Sequence, residues 1–274
     1  MKKIHFFKAS SRLGIMNPPW GSQELNIGVE DGPEAILSAD FLSSFSGGVK
    51  VSGYEFPRPE EINRADYRKV LRQSTGEFSA LINERLADDE TQVVVGGDHS
   101  VALPSVLAAI QRNGRGRLGY VQFDSHADLC TFARSPSDNF HGMFLRVVLD
   151  DGFDDPELSQ LAKDKKIYTQ NLLYIGDLDM LPEEEEFIKK YKVANIASGD
   201  IKNSFSEKLR SFSDFVSRFD HLHVSFDVDV FHPTLARATG TPSHLGLSRE
   251  EVFPFLDIAA SCPKLSLDLV EVNP

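Results

Sequence analysis

The sequence predicts one α/β domain with a mostly parallel sheet and helices on both faces. Three observations carry that expectation. Short apolar runs of strand length alternate with longer runs of helical periodicity along the chain, the pattern of βαβ units. Chemically loaded residues end four separate strand candidates: Asp98 and His99, then Asp124, His126 and Asp128, then Asp227 and Asp229, then Glu271. Open parallel sheets bind ligands at the carboxyl ends of their strands, so one edge of the sheet would collect all four groups. No linker, repeat or low-complexity stretch interrupts the 274 residues. That length is within reach of one large α/β domain, expected to run over 1–274.

In chain order, 4–9 reads as a strand. Residues 10–28 are rich in Gly, Pro, Asn and Ser, hence a long loop, and hold the only tryptophan, Trp20. Pro33 suits the first turn of a helix expected to reach about Phe45. Residues 49–56 read as a strand interrupted by Gly53, and 65–87 carry helical spacing through Tyr67, Leu71, Phe78 and Leu86. A short strand over 92–95 runs into Gly96-Gly97-Asp98-His99-Ser100, and a helix follows to about Gln111. Residues 118–124 form a strand, 130–140 a polar loop and 141–149 a helix. Strands are expected over 172–175, 193–196 and 222–228, with helices over 182–191 and 204–219 between them. Residues 231–246 are a Gly/Pro/Thr loop. Ser248 and Glu251 have capping-box spacing and open the last helix, and 265–272 is the closing strand.

Composition narrows the function. Hydrophobic residues make up 41%, enough for a sizeable core, and the formal net charge is −12. That charge argues against non-specific binding to nucleic acid or an anionic membrane. It leaves a small substrate open, because a metal site sets its own local field. Cys130 and Cys262 are too few for a disulfide framework, and free thiols fit a reducing, cytoplasmic compartment. The opening Met1-Lys2-Lys3-Ile4 leads into a strand rather than a signal peptide, and no apolar run approaches transmembrane length. The acidic run from Glu183 to Glu186 is expected to be a solvated first helical turn.

Asp124, His126 and Asp128 alternate along extended chain, so a period of two would turn all three to one face within about 13 Å. Asp227 and Asp229 share a face in the same way. Carboxylates on one face of an apolar strand are costly unless a cation, a base or solvent satisfies them. Two such strands imply one site for more than one divalent ion. Carboxylate with imidazole suits Mn(II), Fe(II), Co(II) or Zn(II). A carboxylate can bridge two ions about 3.5–4 Å apart that hold one hydroxide between them.

Gly96-Gly97 lacks the following lysine of a phosphate loop, so close backbone approach is expected, with His99 delivered to the metal and Asp98 serving the turn. His221 and His223 share the parity of Asp227 but lie deeper, and are expected to be core or edge histidines without a metal. His141 suits proton transfer near neutral pH, against the alternative of an ordinary helix-start histidine. Glu271, at a strand end, suits a cationic substrate group, against the alternative of a solvated terminal carboxylate.

Taken together, Gly96-Gly97-Asp98-His99-Ser100, Asp124-Ser125-His126-Ala127-Asp128, Ser225-Phe226-Asp227-Val228-Asp229 and Glu271-Val272-Asn273-Pro274 resemble the ureohydrolase (arginase, agmatinase and formiminoglutamase) family. The resemblance runs from Gly28-Val29-Glu30-Asp31-Gly32-Pro33 to the end, and its metal motifs are highly specific. It implies a three-layer α/β/α sandwich with a mainly parallel eight-stranded sheet and a site for two Mn(II) ions. One ion would take His99, Asp124, Asp128 and Asp227. The other would take Asp124, His126, Asp227 and Asp229. The implied reaction is hydrolysis of a guanidino C–N bond. Asp128 would accept a hydrogen bond from the attacking hydroxide, His141 would carry protons to the leaving amine, and Glu271 would pair with the guanidinium.

The loop Ser135-Pro136-Ser137-Asp138-Asn139-Phe140-His141 resembles the arginase form. There Ser137 and Asn139 would hold the α-carboxylate of an amino acid, and Thr241 would be a further substrate-side residue. Several positions depart from the pattern. Cys130 replaces an Asn, and Leu181 stands where an Asp faces the α-amino group. His232 stands for an Asp, Arg237 for a Pro, and Ser243-His244-Leu245-Gly246 for a stretch ending in Gly-Gly. The sequence ends at Pro274, where the family usually continues into another helix, which bears on whether a homo-oligomer forms.

The first expectation is therefore a manganese-dependent enzyme of arginine metabolism, converting L-arginine to L-ornithine and urea. Agmatine, a guanidino acid or an N-formimino amino acid are the alternatives. A non-enzymatic binding protein on the same scaffold is a second class. A metallophosphoesterase is a third, which would need cations near the metals, and only Arg134 and Arg237 offer. The expected partner is a small guanidino substrate, with neither nucleic acid nor membrane.

Overall fold

The apolar runs pair into one sheet. In the computed structural model, which describes residues 3–17, 26–114, 116–149, 152–243 and 245–274, eight strands are found among the described residues. They are β1 (Lys3–Ser10), β2 (Val49–Glu55), β3 (Glu90–Gly96), β4 (Leu118–Phe123), β5 (Leu172–Ile175), β6 (Ala194–Ile196), β7 (His221–Asp227) and β8 (Lys264–Val270). Their order is β2-β1-β3-β8-β7-β4-β5-β6, and every neighbouring pair is parallel. Trp20 lies outside the described residues.

The helices are α1 (Gly32–Ile36), α2 (Ala39–Ser43), α3 (Tyr67–Arg85), α4 (Ala102–Asn113), α5 (Phe144–Val148), α6 (Pro156–Leu161), α7 (Pro182–Tyr191), α8 (Ser198–Val216) and α9 (Arg249–Ala260). Side chains of successive strand residues enter opposite layers, as a period of two requires. Phe7, Val94 and Tyr120 pack under the layer of α3 to α7, with Phe78, Leu103 and Phe187. Val121, Phe123 and Val224 pack under α8 and α9, with Phe212 and Phe255. Phe6 and Val93 meet the first two helices through Leu37 and Leu42. This is the three-layer sandwich. The central strands are buried on both faces, which is why β3 and β4 read as near-continuous apolar runs.

Where the structure differs from expectation, a capping or turn residue is the cause. The helix expected from Pro33 to Phe45 is two helices, because Ser38 is extended (ψ 157°) and its hydroxyl accepts the Phe41 N–H as a new cap. The helix expected from His141 is a 3-10 turn, Phe140–Gly142, followed by α5, with Met143 non-helical between them. α8 starts at Ser198 rather than Ser204, where the backbone is non-helical (φ −147°). α6 was not expected, although Asp155 caps it through the Glu157 and Leu158 N–H groups and Pro156 fills its first position.

His221 and His223 are core histidines, as expected. His223 Nδ1 lies 2.7 Å from Ser266 Oγ and its Nε2 2.7 Å from Asp268 Oδ2, while His221 Nε2 lies 2.9 Å from the same Ser266 hydroxyl.

Candidate active site

Five neighbouring strands deliver the site. In spatial order, β3 brings His99, β8 Glu271, β7 Asp227 and Asp229, β4 Asp124 to Asp128, and β5 Asp179. All stand at carboxyl ends, as parallel sheets arrange their ligand crevices.

The turn after β3 is built on close approach. A Cβ on Gly97 would stand 1.8 Å from the Ser11 carbonyl oxygen, so only glycine fits. Asp98 serves this turn, accepting from the Ser11 hydroxyl, the Gly14 N–H and the Ser100 N–H. His99 then points its ring at the carboxylates. Its Nδ1 lies 2.9 Å from Asp128 Oδ2 and 3.2 Å from both Asp124 Oδ2 and Asp227 Oδ2.

The candidate ligand residues do converge, but not by strand alternation. β4 ends at Phe123, and Asp124 to Asp128 form a turn in which Asp128 is left-handed (φ +53°). β7 ends at Asp227, and the 3-10 turn Val228–Val230 swings Asp229 inward, with its N–H donating to Asp227 Oδ1. The Ser125 N–H and hydroxyl both bond Asp229, tying the two turns together. His126 Nδ1 lies 2.8 Å from Asp229 Oδ2 and 3.6 Å from Asp124 Oδ1. Asp124 therefore faces His99 with one oxygen and His126 with the other. The second oxygen of Asp227 meets a backbone N–H instead.

Two groups could hold metal ions: His99, Asp124 and Asp128; and Asp124, His126 and Asp229. The electrostatics fit cations. Burial and the neighbouring carboxylates push Asp227 well up, and Asp229 to about 6. Burial, then the charge of Asp124, raises Asp128. Burial works against charge on His99 and His126, yet the surrounding carboxylates raise both well above an ordinary histidine. Four buried carboxylates thus draw protons onto the imidazoles, a role that divalent ions fill better.

Glu271, also left-handed (φ +61°), is buried rather than a solvated terminus. Its Oε1 accepts the His99 N–H (2.9 Å) and lies 3.3 Å from His141 Nδ1, and its Oε2 accepts from the Asn26 amide (3.0 Å). Burial disfavours charge on His141, but the Glu271 carboxylate outweighs it and raises the imidazole. Such sparsely populated backbone angles in non-glycine residues cluster where surrounding contacts hold a functional group in place.

His99, His126, Asp128, Asp227, Asp229, His141 and Glu271 line one cleft of about 640 Å³, together with Ser137, Asn139 and Thr241. No Arg or Lys lines it among the described residues. Arg134 and Arg237, the cations needed for a phosphoester substrate, are not on its wall. Asn139 is partly committed elsewhere: its Oδ1 accepts the Asn17 N–H and its Nδ2 donates to the Asn17 carbonyl. Leu181 does line the cleft, and the carboxylates of Asp179 and Glu184 line it as well. Glu184 also corrects the reading of a solvated acidic run. It is buried, accepts the Leu129 and Leu181 N–H groups, and is pushed up by burial to about 7. Its three-residue offset from Leu181 is capping-box spacing, the one local signal that could have found it. Gln122, which bonds two of the ligand carboxylates, and Asn26 left no comparable signal.

Comparison with known proteins agrees with this geometry. The arginase family profile matches residues 12–274. An arginase of Staphylococcus aureus (strain MRSA252) is 30% identical over 277 residues, covering 96% of this chain and 90% of the relative. A non-hepatic arginase of Xenopus laevis is 30% identical over 281 residues, covering 97% of this chain and 78% of the relative. The crystal structure of arginase from Bacillus subtilis superposes with a TM-score of 0.83 at 28% identity, covering 100% of this chain and 91% of that one. Entamoeba histolytica arginase, solved with L-ornithine, shares the fold at a TM-score of 0.85 and 24% identity, covering 100% and 92%.

Proposed function

Because the chain belongs to the arginase family, hydrolases of amidino C–N bonds, we propose that it is a manganese-dependent arginase-like enzyme releasing urea from a guanidino substrate. The observation that carries this reading is the placement of the Glu271 carboxylate in the same acidic cleft as the two metal-capable groups.

His99, Asp124, Asp128 and Asp227 would hold one ion, and Asp124, His126, Asp227 and Asp229 the other. Mixed carboxylate and imidazole donors suit Mn(II). Divalent ions, if held by these residues, would supply a water-derived nucleophile at neutral pH. Glu271 binds the guanidinium and sets its plane, since a fixed carboxylate supplies both charge and direction. Asp128 would accept a hydrogen bond from the O–H of the attacking nucleophile. As a C–O bond forms at the guanidinium carbon and the C–N bond breaks, the leaving amine takes a proton. His141 delivers it, with its raised proton affinity sustained by Glu271. The products are urea and an amine.

The far end of the cleft sets specificity. Asp179 and Glu184 offer carboxylates to an ammonium group, while Ser137, Asn139 and Thr241 offer neutral donors to an α-carboxylate. L-Arginine satisfies both sets. Agmatine, which lacks the carboxylate, is favoured by Cys130 and by the engagement of Asn139 with Asn17. Cys130 and Cys262 are buried and form no disulfide among the described residues, which suits a reducing, cytoplasmic setting. Urea and ammonia release should be measured with manganese-loaded protein on L-arginine, agmatine, 4-guanidinobutyrate and N-formimino-L-glutamate. Urea from L-arginine supports the arginase assignment, and urea from agmatine alone moves it to the decarboxylated substrate. Silence across the panel with both ions bound overturns the enzyme reading.

A further inference from the structure

Gln122 is a polar residue in the middle of the core. It sits near the end of β4, flanked by β7 and β5, and is 0% exposed. An amide without water must spend its hydrogen-bonding groups on protein, because a buried polar group left unpaired is destabilising. Gln122 does so in a particular way. Its Nε2 donates to Asp124 Oδ2 (2.7 Å) and to Asp128 Oδ2 (3.1 Å), and its Oε1 accepts the Tyr120 hydroxyl (3.1 Å). The opposite amide orientation would set Oε1 against two carboxylate oxygens, so chemistry fixes the direction.

The two oxygens it holds are the ones that face His99 Nδ1, at 3.2 and 2.9 Å. Asp128 Oδ1 is left on the side of Gly142 in the cleft wall. A neutral amide can hold two like-charged carboxylates together without competing with a cation, as a lysine would.

We propose that Gln122 is a positioning residue that presets Asp124 and Asp128 for the ion beside His99, with Tyr120 fixing Gln122 in turn. The proposal rests on the dinuclear reading above. Its mark is selectivity: both oxygens that Gln122 holds face His99, whereas the shared Asp124 meets His126 through its other oxygen, so the ion beside His126 depends on Gln122 less. Gln122→Met keeps the volume and removes both donors. Tyr120→Phe removes only the hydroxyl that orients the amide.

The test is a Mn(II) titration of metal-free wild type and both variants, by calorimetry and by electron paramagnetic resonance. The His99-side phase is identified by its loss in His99→Asn. Outer-shell partners typically contribute 10–100-fold in metal affinity. Gln122→Met should therefore weaken the His99-side ion by ~10–100-fold and shift the other by less than ~3-fold. The signal of a coupled ion pair should appear only at higher Mn(II). Tyr120→Phe should weaken the same ion by a smaller factor. Equal loss at both sites, or no loss in the folded variants, overturns the proposal. If Gln122→Met does not fold, an unchanged Tyr120→Phe titration overturns it. A wild type that binds fewer than two ions overturns the dinuclear reading itself, which separates the two failures.

Discussion

Replacing Glu271 with Gln removes one charge and almost no volume, so its effects on catalysis and on folding can be worked out separately. The carboxylate accepts the His99 N–H and the Asn26 amide, and lies beside His141 Nδ1. A glutamine can keep its oxygen toward His99, but its NH2 group then meets the Asn26 donor. One lost hydrogen bond costs about 1 kcal/mol of stability, a fall in Tm of about 2–4 °C for a chain of this size. The loss at the guanidinium is larger. A hydrogen bond to a charged group contributes about 1.5–3 kcal/mol, and each 1.36 kcal/mol is tenfold in rate, so kcat/KM should fall roughly 10- to 150-fold. His141 also loses the carboxylate that raises its proton affinity; as the proton donor it must be protonated to act, so the alkaline limb of the pH profile should move to lower pH. The assay is urea release at saturating Mn(II), with kcat and KM resolved, beside a thermal melt. A kcat/KM within twofold of wild type would refute the placement of Glu271 against the substrate.

On the proposed mechanism Asp128→Asn should abolish turnover, since it removes the negative charge of a candidate ligand and puts an NH2 donor in place of one carboxylate oxygen, and near-normal urea release would contradict that role. Chelation of the ions should lower Tm by about 5–10 °C, the equivalent of ~2.7 kcal/mol at a hundredfold excess of metal over Kd; a melt insensitive to chelator counts against the cluster as a metal site. Gly97→Ala should destabilise by about 2–3 kcal/mol, because its Cβ would lie 1.8 Å from the Ser11 carbonyl and neither backbone can retreat freely; denaturant unfolding reads this. Burial acts to raise Glu90, but Lys50, the Ala87 N–H and His5 outweigh it and hold it at about 2. Its ionised form therefore adds stability above pH ~4.5 that is lost as pH falls toward 2, on the order of 1–2 kcal/mol after solvent screening, and Glu90→Gln should flatten that part of the stability profile.

Much of this protein was legible in its sequence. The alternation of apolar strands and amphipathic helices determined the parallel sheet, because both faces of such a sheet must be covered. The candidate ligands His99, Asp124, His126, Asp128, Asp227 and Asp229 were legible because buried carboxylates and imidazoles are too costly to stand at strand ends without a purpose. How they converge was not legible. Alternation would have turned Asp124, His126 and Asp128 to one face, yet β4 stops at Phe123 and a left-handed Asp128 completes the turn. Glu184 read as a solvated charge until the Leu129 N–H, 55 residues away, closed over it. Asn139 read as free for substrate until Asn17, 122 residues away, took part of its amide. Gln122 carried no signal of its own within the strand, and its part in the site exists only because Asp128 turns back onto it. In each case local spacing records only what a residue can bond. Which partner it meets, and whether water remains, depends on segments brought together by the sheet order, and only the tertiary structure decides that.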